Sequence, residues 1–103
     1  MSMLSVTKNL EGTKLTVNAV GRIDTYTAPQ LDDEVTSALE GVTEFVLDFS
    51  QIEYISSAGL RLLVAWQKTM TAKGGRFSVC HLADSIYSIF TATGLTDFID
   101  IQK

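Results

Sequence analysis

Two adjacent hydroxyls, Ser56 and Ser57, stand between an apolar run and a helix-forming run. Phe45-Val46-Leu47, ending at Asp48, reads as a buried strand, and a helix is expected to start at Ala58 or Gly59 after a short loop. A helix start offers backbone N–H groups without acceptors and the positive end of a dipole, where a phosphate is well tolerated. Ser56 or Ser57 is therefore a candidate phosphoacceptor. Serine before a helix is also an ordinary N-cap, and a cap hydroxyl in an exposed loop can serve both purposes.

Other reactive side chains give less. Asp48 at a strand end suggests an aspartyl phosphoacceptor, but the acidic pair and lysine of such a magnesium site are missing. Asp48 is expected to shape its loop by accepting backbone N–H groups. His81 lacks a Gly-x-Ser-x-Gly elbow and an orienting acid, so it reads as a strand-end residue. Cys80-His81 alone falls short of the roughly four ligands a zinc site wants. Gly74-Gly75 lacks the Lys-Ser/Thr of a phosphate-binding loop. No enzyme, metal or cofactor is expected.

The elements that must position the serines follow from periodicity. Met3–Leu10 and Lys14–Val20 read as strands of a hairpin around Glu11-Gly12, with Leu15, Val17 and Ala19 alternating onto a buried face. Thr27 with Gln30 resembles a capping box, Pro29 suits a first turn, and Leu31, Val35, Ala38 and Leu39 form a helical stripe that Gly41 can close. Thr43–Phe49 is the expected central strand. In the next helix Leu62, Ala65, Trp66 and Met70 make a stripe, widened by Leu60, Leu63 and Val64. Burial against the sheet is expected for most of it, with a partner surface near Leu60, Val64 or Trp66 as the other reading. Gly74-Gly75 turns into a strand Arg76–His81, in which Cys80 serves as a small hydrophobe. Asp84 or Ser85 is expected to cap a last helix running to about Thr93, with Gly94 as its C′ residue. Phe98, Ile99 and Ile101 form a final segment that reads as strand or helix. Strands alternating with helices after an opening hairpin imply an α/β fold with a mixed, mostly parallel sheet and helices packed on it.

The 103 residues fit one domain, 1–103, and nearly half are apolar, yet no run approaches a membrane span. No charged, apolar and small-residue order opens the chain, so no secretory leader is expected. A net charge of -4 argues against nonspecific nucleic-acid binding. A cytoplasmic protein with protein partners is expected, away from membranes and nucleic acid.

The Ser56-Ser57-Ala58-Gly59-Leu60 segment resembles the signature of STAS domains, and specifically of bacterial anti-sigma factor antagonists. Their pattern is Asp-Ser-Ser/Thr-Gly-Leu leading into a helix, so Ser57 falls on the phosphorylated serine and Ser56 on the usual Asp. Gly21-Arg22-Ile23-Asp24-Thr25-Tyr26-Thr27-Ala28 resembles the family's Gly-Glu-Leu-Asp-x-x-Thr-Ala. Gly74-Gly75-Arg76-Phe77 and Phe90-Thr91-Ala92-Thr93-Gly94-Leu95 resemble its later turn and Phe-x-x-x-Gly-Leu segment. The resemblance implies a module that, unphosphorylated, binds an anti-sigma factor serine kinase and frees the sigma factor. Phosphorylation of Ser57, with Ser56 as second choice, releases it, and a serine phosphatase resets it. It implies a docking surface of Asp24, Thr25, Ser56, Ser57, Ala58, Gly59, Leu60 and Arg61 on a monomer or weak dimer. The competing expectations are a non-switching STAS scaffold in a transport or stress-signalling assembly, and a phosphoacceptor in a switch without a sigma factor.

Overall fold

The computed structural model describes residues 4–103; the expected strand start at Met3 lies outside them. One α/β domain forms, with a five-stranded sheet in the order β1-β2-β3-β4-β5. Strand β1 (Leu4–Glu11) pairs antiparallel with β2 (Lys14–Ile23). Gly12 takes φ 62 at the first central position of the two-residue turn, where a positive φ favours glycine. Then β3 (Glu44–Ile55), β4 (Arg76–Cys80) and β5 (Asp100–Gln102) add in parallel. Of the expected final segment only Ile101 lies in the edge strand; Phe98 and Ile99 belong to the turn that follows the 3₁₀ helix at Leu95–Asp97.

Helices α1 (Ala28–Thr36), α2 (Ser57–Ala72) and α3 (Asp84–Ala92) connect the parallel strands in turn. Right-handed crossovers between successive neighbours place all three on one face. The core lies beneath them. Leu15, Val17, Ala19, Phe45, Leu47, Phe49, Phe77 and Val79 point into it from alternate strand positions. Phe45 stacks on Phe77 at 4.8 Å and meets Trp66 edge-on at 5.7 Å, and Phe49 meets Phe90 at 6.2 Å. The opposite face carries the half-buried Thr16, Asn18, Val46, Asp48, Ser78 and Cys80 and, among the described residues, has no helix over it.

Several boundaries differ from the sequence reading. Strand β3 does not end near Asp48. It continues to Ile55 through two register shifts against β2, and Asp48 Oδ1 accepts the Ser50 N–H at 2.8 Å beside the first. Asp48 thus accommodates a bulge and not a loop. Helix α1 stops at Thr36; past the C-cap Ser37 the N–H groups bond three residues back, Ala38 to Val35 and Leu39 to Thr36, and Gly41 lies beyond the helix. The buried side of α2 is Gly59, Leu63, Trp66 and Met70, whereas Ala65 is exposed and Leu62 half-buried. Trp66 belongs to the core; Leu60 and Val64 are half-buried. His81 falls just past β4, and the N-cap of α3 is Ala83, with Asp84 inside the first turn. There its charge favours the helix dipole. Gly94, at φ 79, follows the C-cap Thr93.

The capping box at Thr27 does not form. Thr27 already has helical backbone angles, so its hydroxyl turns back. It accepts the Asp24 N–H at 2.9 Å and donates to the Arg22 carbonyl at 2.8 Å. Gln30 instead donates to the Leu4 carbonyl and to Glu34. Thr27 is the one polar residue in the fully buried set, at 4% exposure among the described residues. Thr27→Val keeps the shape and removes both bonds, leaving two backbone groups without these partners at about 1–3 kcal/mol each. The melting temperature is expected to fall by at least about 5 °C, since roughly 1 kcal/mol shifts a domain of this size by 4–8 °C. An unchanged melt would show that this turn contributes nothing to stability.

Candidate functional site

The far half of β3, from Gln51 to Ile55, pairs with β2 alone and overhangs β4. It delivers Ser56 to the end of β2, where the Ser56 N–H donates to the Ile23 carbonyl at 2.8 Å. The next residue after Ile23 is Asp24, so one hydrogen bond places the serine pair beside the Asp24–Thr27 turn. Asp24 Oδ1 accepts the N–H groups of Tyr26 at 2.9 Å and Thr27 at 3.0 Å, which closes that turn and starts α1. The Asp24 carboxylate is engaged in the turn.

Ser56 is the N-cap of α2. Its backbone is extended (φ -90, ψ 174), its Oγ accepts the Gly59 N–H at 3.4 Å, and its carbonyl accepts the Leu60 N–H at 3.0 Å. Ser57 is therefore the first helical residue, one or two positions ahead of the expected start, and it is exposed. The N–H groups of Ser57 and Ala58 have no acceptor within the helix. The two hydroxyls are thus divided: Ser56 holds the helix end and Ser57 faces solvent. Asp and Ser are near-equal N-caps, so Ser56 does structurally what an aspartate there would do.

Gly59 is buried at the crossing of α2 with the sheet. A Cβ there would lie 2.7 Å from Ile23 Cγ2 and 2.7 Å from Ile55 Cγ1. This close approach fixes the rotation of α2 and hence the direction in which Ser57 points.

Beside the serines, an open cleft of about 350 Å³ separates the first turns of α1 and α2. Thr25, Ala28, Pro29, Asp32, Ala58, Arg61 and Leu62 line it. Of the expected docking residues, Thr25, Ala58 and Arg61 are in the cleft. Asp24, Ser56 and Ser57 border it through the turn and the helix start, Leu60 is half-buried, and Gly59 is buried. Ala28, Pro29, Asp32 and Leu62 complete the lining and lie outside the expected docking surface. Asp32 also accepts the Trp66 indole N–H at 3.3 Å, clamping the two helices together. Tyr26, adjacent in the chain to the cleft residue Thr25, is 85% exposed, a large aromatic surface open to solvent.

The electrostatics outside this cleft centre on Asp48. Burial raises its carboxyl, but the Ser50 backbone N–H and hydroxyl and then the His81 imidazole outweigh it and hold the group below its ordinary value. Burial, then the Asp48 charge, pushes the Cys80 thiol up, so it is a poor nucleophile at neutral pH.

The family model of the Mlab STAS domain matches residues 6–101. The chain belongs to the STAS domain family. It is 31% identical over 86 residues to the anti-sigma-B factor antagonist of Bacillus subtilis, covering 84% of this chain and 79% of that one. Its fold resembles that of an anti-sigma factor antagonist from Mycobacterium paratuberculosis, with a TM-score of 0.87 at 23% identity over 97% of this chain and 86% of that one. It also resembles the phosphorylated form of the Bacillus cell fate determinant SpoIIAA, with a TM-score of 0.75 at 16% identity over 96% and 92% of the two chains. Among the described residues, no helix of this STAS domain is long and apolar enough to cross a membrane.

Proposed function

We propose that this STAS domain is an anti-sigma factor antagonist worked by phosphorylation of Ser57. The observation that carries the reading is the division of labour at α2: Ser56 caps the helix and Ser57 stands exposed in its first turn, beside the cleft. A kinase can reach Ser57 without unfolding anything. A phosphate there sits at the positive end of a helix of 16 residues. The relatives named anti-sigma-B factor antagonist support the antagonist role, and a phosphorylated form of a protein with this fold supports the switch.

In this reading the unphosphorylated chain, 1–103 acting as one domain, presents Thr25, Tyr26, Ala58 and Arg61 to an anti-sigma factor that is also a serine kinase. Docking displaces the sigma factor. The kinase then modifies Ser57 and the complex parts, and a serine phosphatase restores the free hydroxyl. The protein performs no catalysis itself, acts in the cytoplasm, and works as a monomer or weak dimer.

The test is incubation with the cognate kinase and ATP, followed by mass spectrometry. Ser57→Ala is expected to abolish phosphate incorporation, and Ser56→Ala to leave part of it, since the loop loses only a cap worth about 1 kcal/mol. Full labelling of Ser57→Ala, with phosphate on Ser56, overturns the assignment. Binding of the kinase with no phosphate on either serine points to a non-switching scaffold instead.

A further inference from the structure

We propose that Asp48, Cys80 and His81 form a binding site for a single zinc ion on the open face of the sheet. The site lies across the sheet from α1 and α2, so it is separate from the cleft beside Ser57.

The register of the strands brings its parts together. Asn18 pairs with Asp48 across β2 and β3, and Asp48 pairs with Cys80 across β3 and β4. The three therefore stand in a row on one face. Strand alternation would send the next residue, His81, to the helix-covered side. His81 instead adopts φ 60, the one positive φ outside glycine among the described residues. That left-handed conformation is unfavourable for a residue that bears a Cβ. Its result is to swing the imidazole back, with Nδ1 3.4 Å from Asp48 Oδ1.

The ligand atoms of Asp48, Cys80 and His81 all lie within 4.8 Å of one another. Tetrahedral zinc with bonds of about 2.0–2.3 Å places its ligands about 3.3–3.8 Å apart. The Asp48–His81 separation already falls in that range. The remaining closure is small for an imidazole whose side chain is 65% exposed. A second observation points the same way. Asn18 Oδ1, beside Asp48, is buried and has no hydrogen-bond partner. Buried acceptors are seldom left so, and an ion or its bound water would satisfy it.

The donor set selects the metal. One thiolate, one imidazole and one carboxylate suit zinc, whereas calcium and magnesium take oxygen shells. The thiolate and the carboxylate together balance the dipositive charge. Three protein ligands leave a fourth position for water. Binding displaces the Cys80 proton into solvent. The ion would fasten the turn that leads from β4 to α3 onto the middle of β3.

The chain has one cysteine and one histidine, so untagged protein offers no rival soft-ligand pair. Zinc alone is titrated against a chromophoric chelator. One equivalent is expected to bind with micromolar affinity or better. Cys80→Ser and His81→Asn are each expected to weaken it by about tenfold or more, with circular dichroism unchanged. Asparagine is chosen because it tolerates the left-handed backbone. Cobalt added to the unaltered protein is expected to give tetrahedral bands and a thiolate-to-cobalt charge-transfer band, the latter absent in Cys80→Ser. Zinc binding no tighter than in the Cys80→Ser/His81→Asn double variant overturns the proposal. So does an octahedral cobalt spectrum without the thiolate band, which needs no variant to fold.

Discussion

Phosphate on Ser57 is expected to weaken binding to the anti-sigma factor by about a hundredfold or more while leaving the free domain folded, with a melting temperature unchanged or raised by a few degrees. The two halves of this expectation come from different surroundings. On the free protein the phosphate meets the N-terminus of α2, with the Ser57 and Ala58 N–H groups unpaired within the helix, for a gain of about 0.3–1 kcal/mol. Arg61 lies four residues on, the spacing at which side chains on a helix meet, so it can pair with the new charge. Against a partner the balance reverses. The phosphate adds about -1.5 to -2 charges in a docking surface that already contains Asp24 and Asp32, with Glu53 exposed four residues before Ser57. Stripping water from an anion whose charge the single Arg61 does not balance costs a few kcal/mol, and about 2.8 kcal/mol is a hundredfold in affinity. Ser57→Asp is expected to reproduce only part of the effect, with a single charge and fewer acceptor oxygens. Calorimetric titration of both forms against the kinase measures the first half, and thermal melts of each alone measure the second. Equal binding by the two forms rules out an antagonist of this kind. A large drop in melting temperature would mean that release works through unfolding.

Much of the frame around the serines is legible in the residues themselves. The alternation of Leu15, Val17 and Ala19 marked a strand with one buried face, and that face is in the core. The placing of two serines between apolar run and helix located the helix start to within two residues. What the sequence left hidden depended on groups distant along the chain. An aspartate that accepts a nearby N–H looks the same in sequence whether it closes a loop or seats a bulge, so Asp48 concealed the far half of β3. On α2 the stripe holds at Trp66 and Met70 but not at Leu62 and Ala65, because those two fit a helical period as well as Gly59 and Leu63 do. Only the contact of Gly59 with Ile23 and Ile55 decides between them. The cleft was illegible for the same reason: Asp32 and Trp66 are 34 residues apart and meet through the packing of α1 on α2. Thr27 with Gln30 satisfied the capping pattern, but the pattern does not say whether Thr27 has extended or helical angles, and that determines which way its hydroxyl reaches.

Gly59→Val is expected to destabilise the domain by about 3 kcal/mol or more and to misplace Ser57. Two opposing effects set the magnitude. Glycine inside a helix is unfavourable by up to about 1 kcal/mol, so almost any replacement recovers part of that. Alanine recovers the most and adds one carbon, and its net effect is the small difference between that gain and an overpacking cost of roughly 1–3 kcal/mol. Valine recovers less and adds three carbons where the first already lies 2.7 Å from both Ile23 and Ile55. Those two side chains are 0% and 3% exposed and have little room to retreat. The clash therefore wins. Helix α2 must lift or rotate, and its N-cap bond from the Gly59 N–H to Ser56 goes with it. Urea denaturation of Gly59→Val, Ile55→Ala and the double variant measures the coupling. The double variant is expected to be more stable than the sum of the single losses by at least about 1 kcal/mol, because the shortened Ile55 makes room for the valine. Strict additivity would mean that the two residues do not touch and that α2 starts elsewhere. In the same variants, phosphate incorporation at Ser57 is expected to fall in Gly59→Val and to recover in part in the double variant. A fold-neutral Gly59→Val that is labelled at full rate would separate the helix rotation from the exposure of Ser57, and so remove Gly59 from any part in the switch.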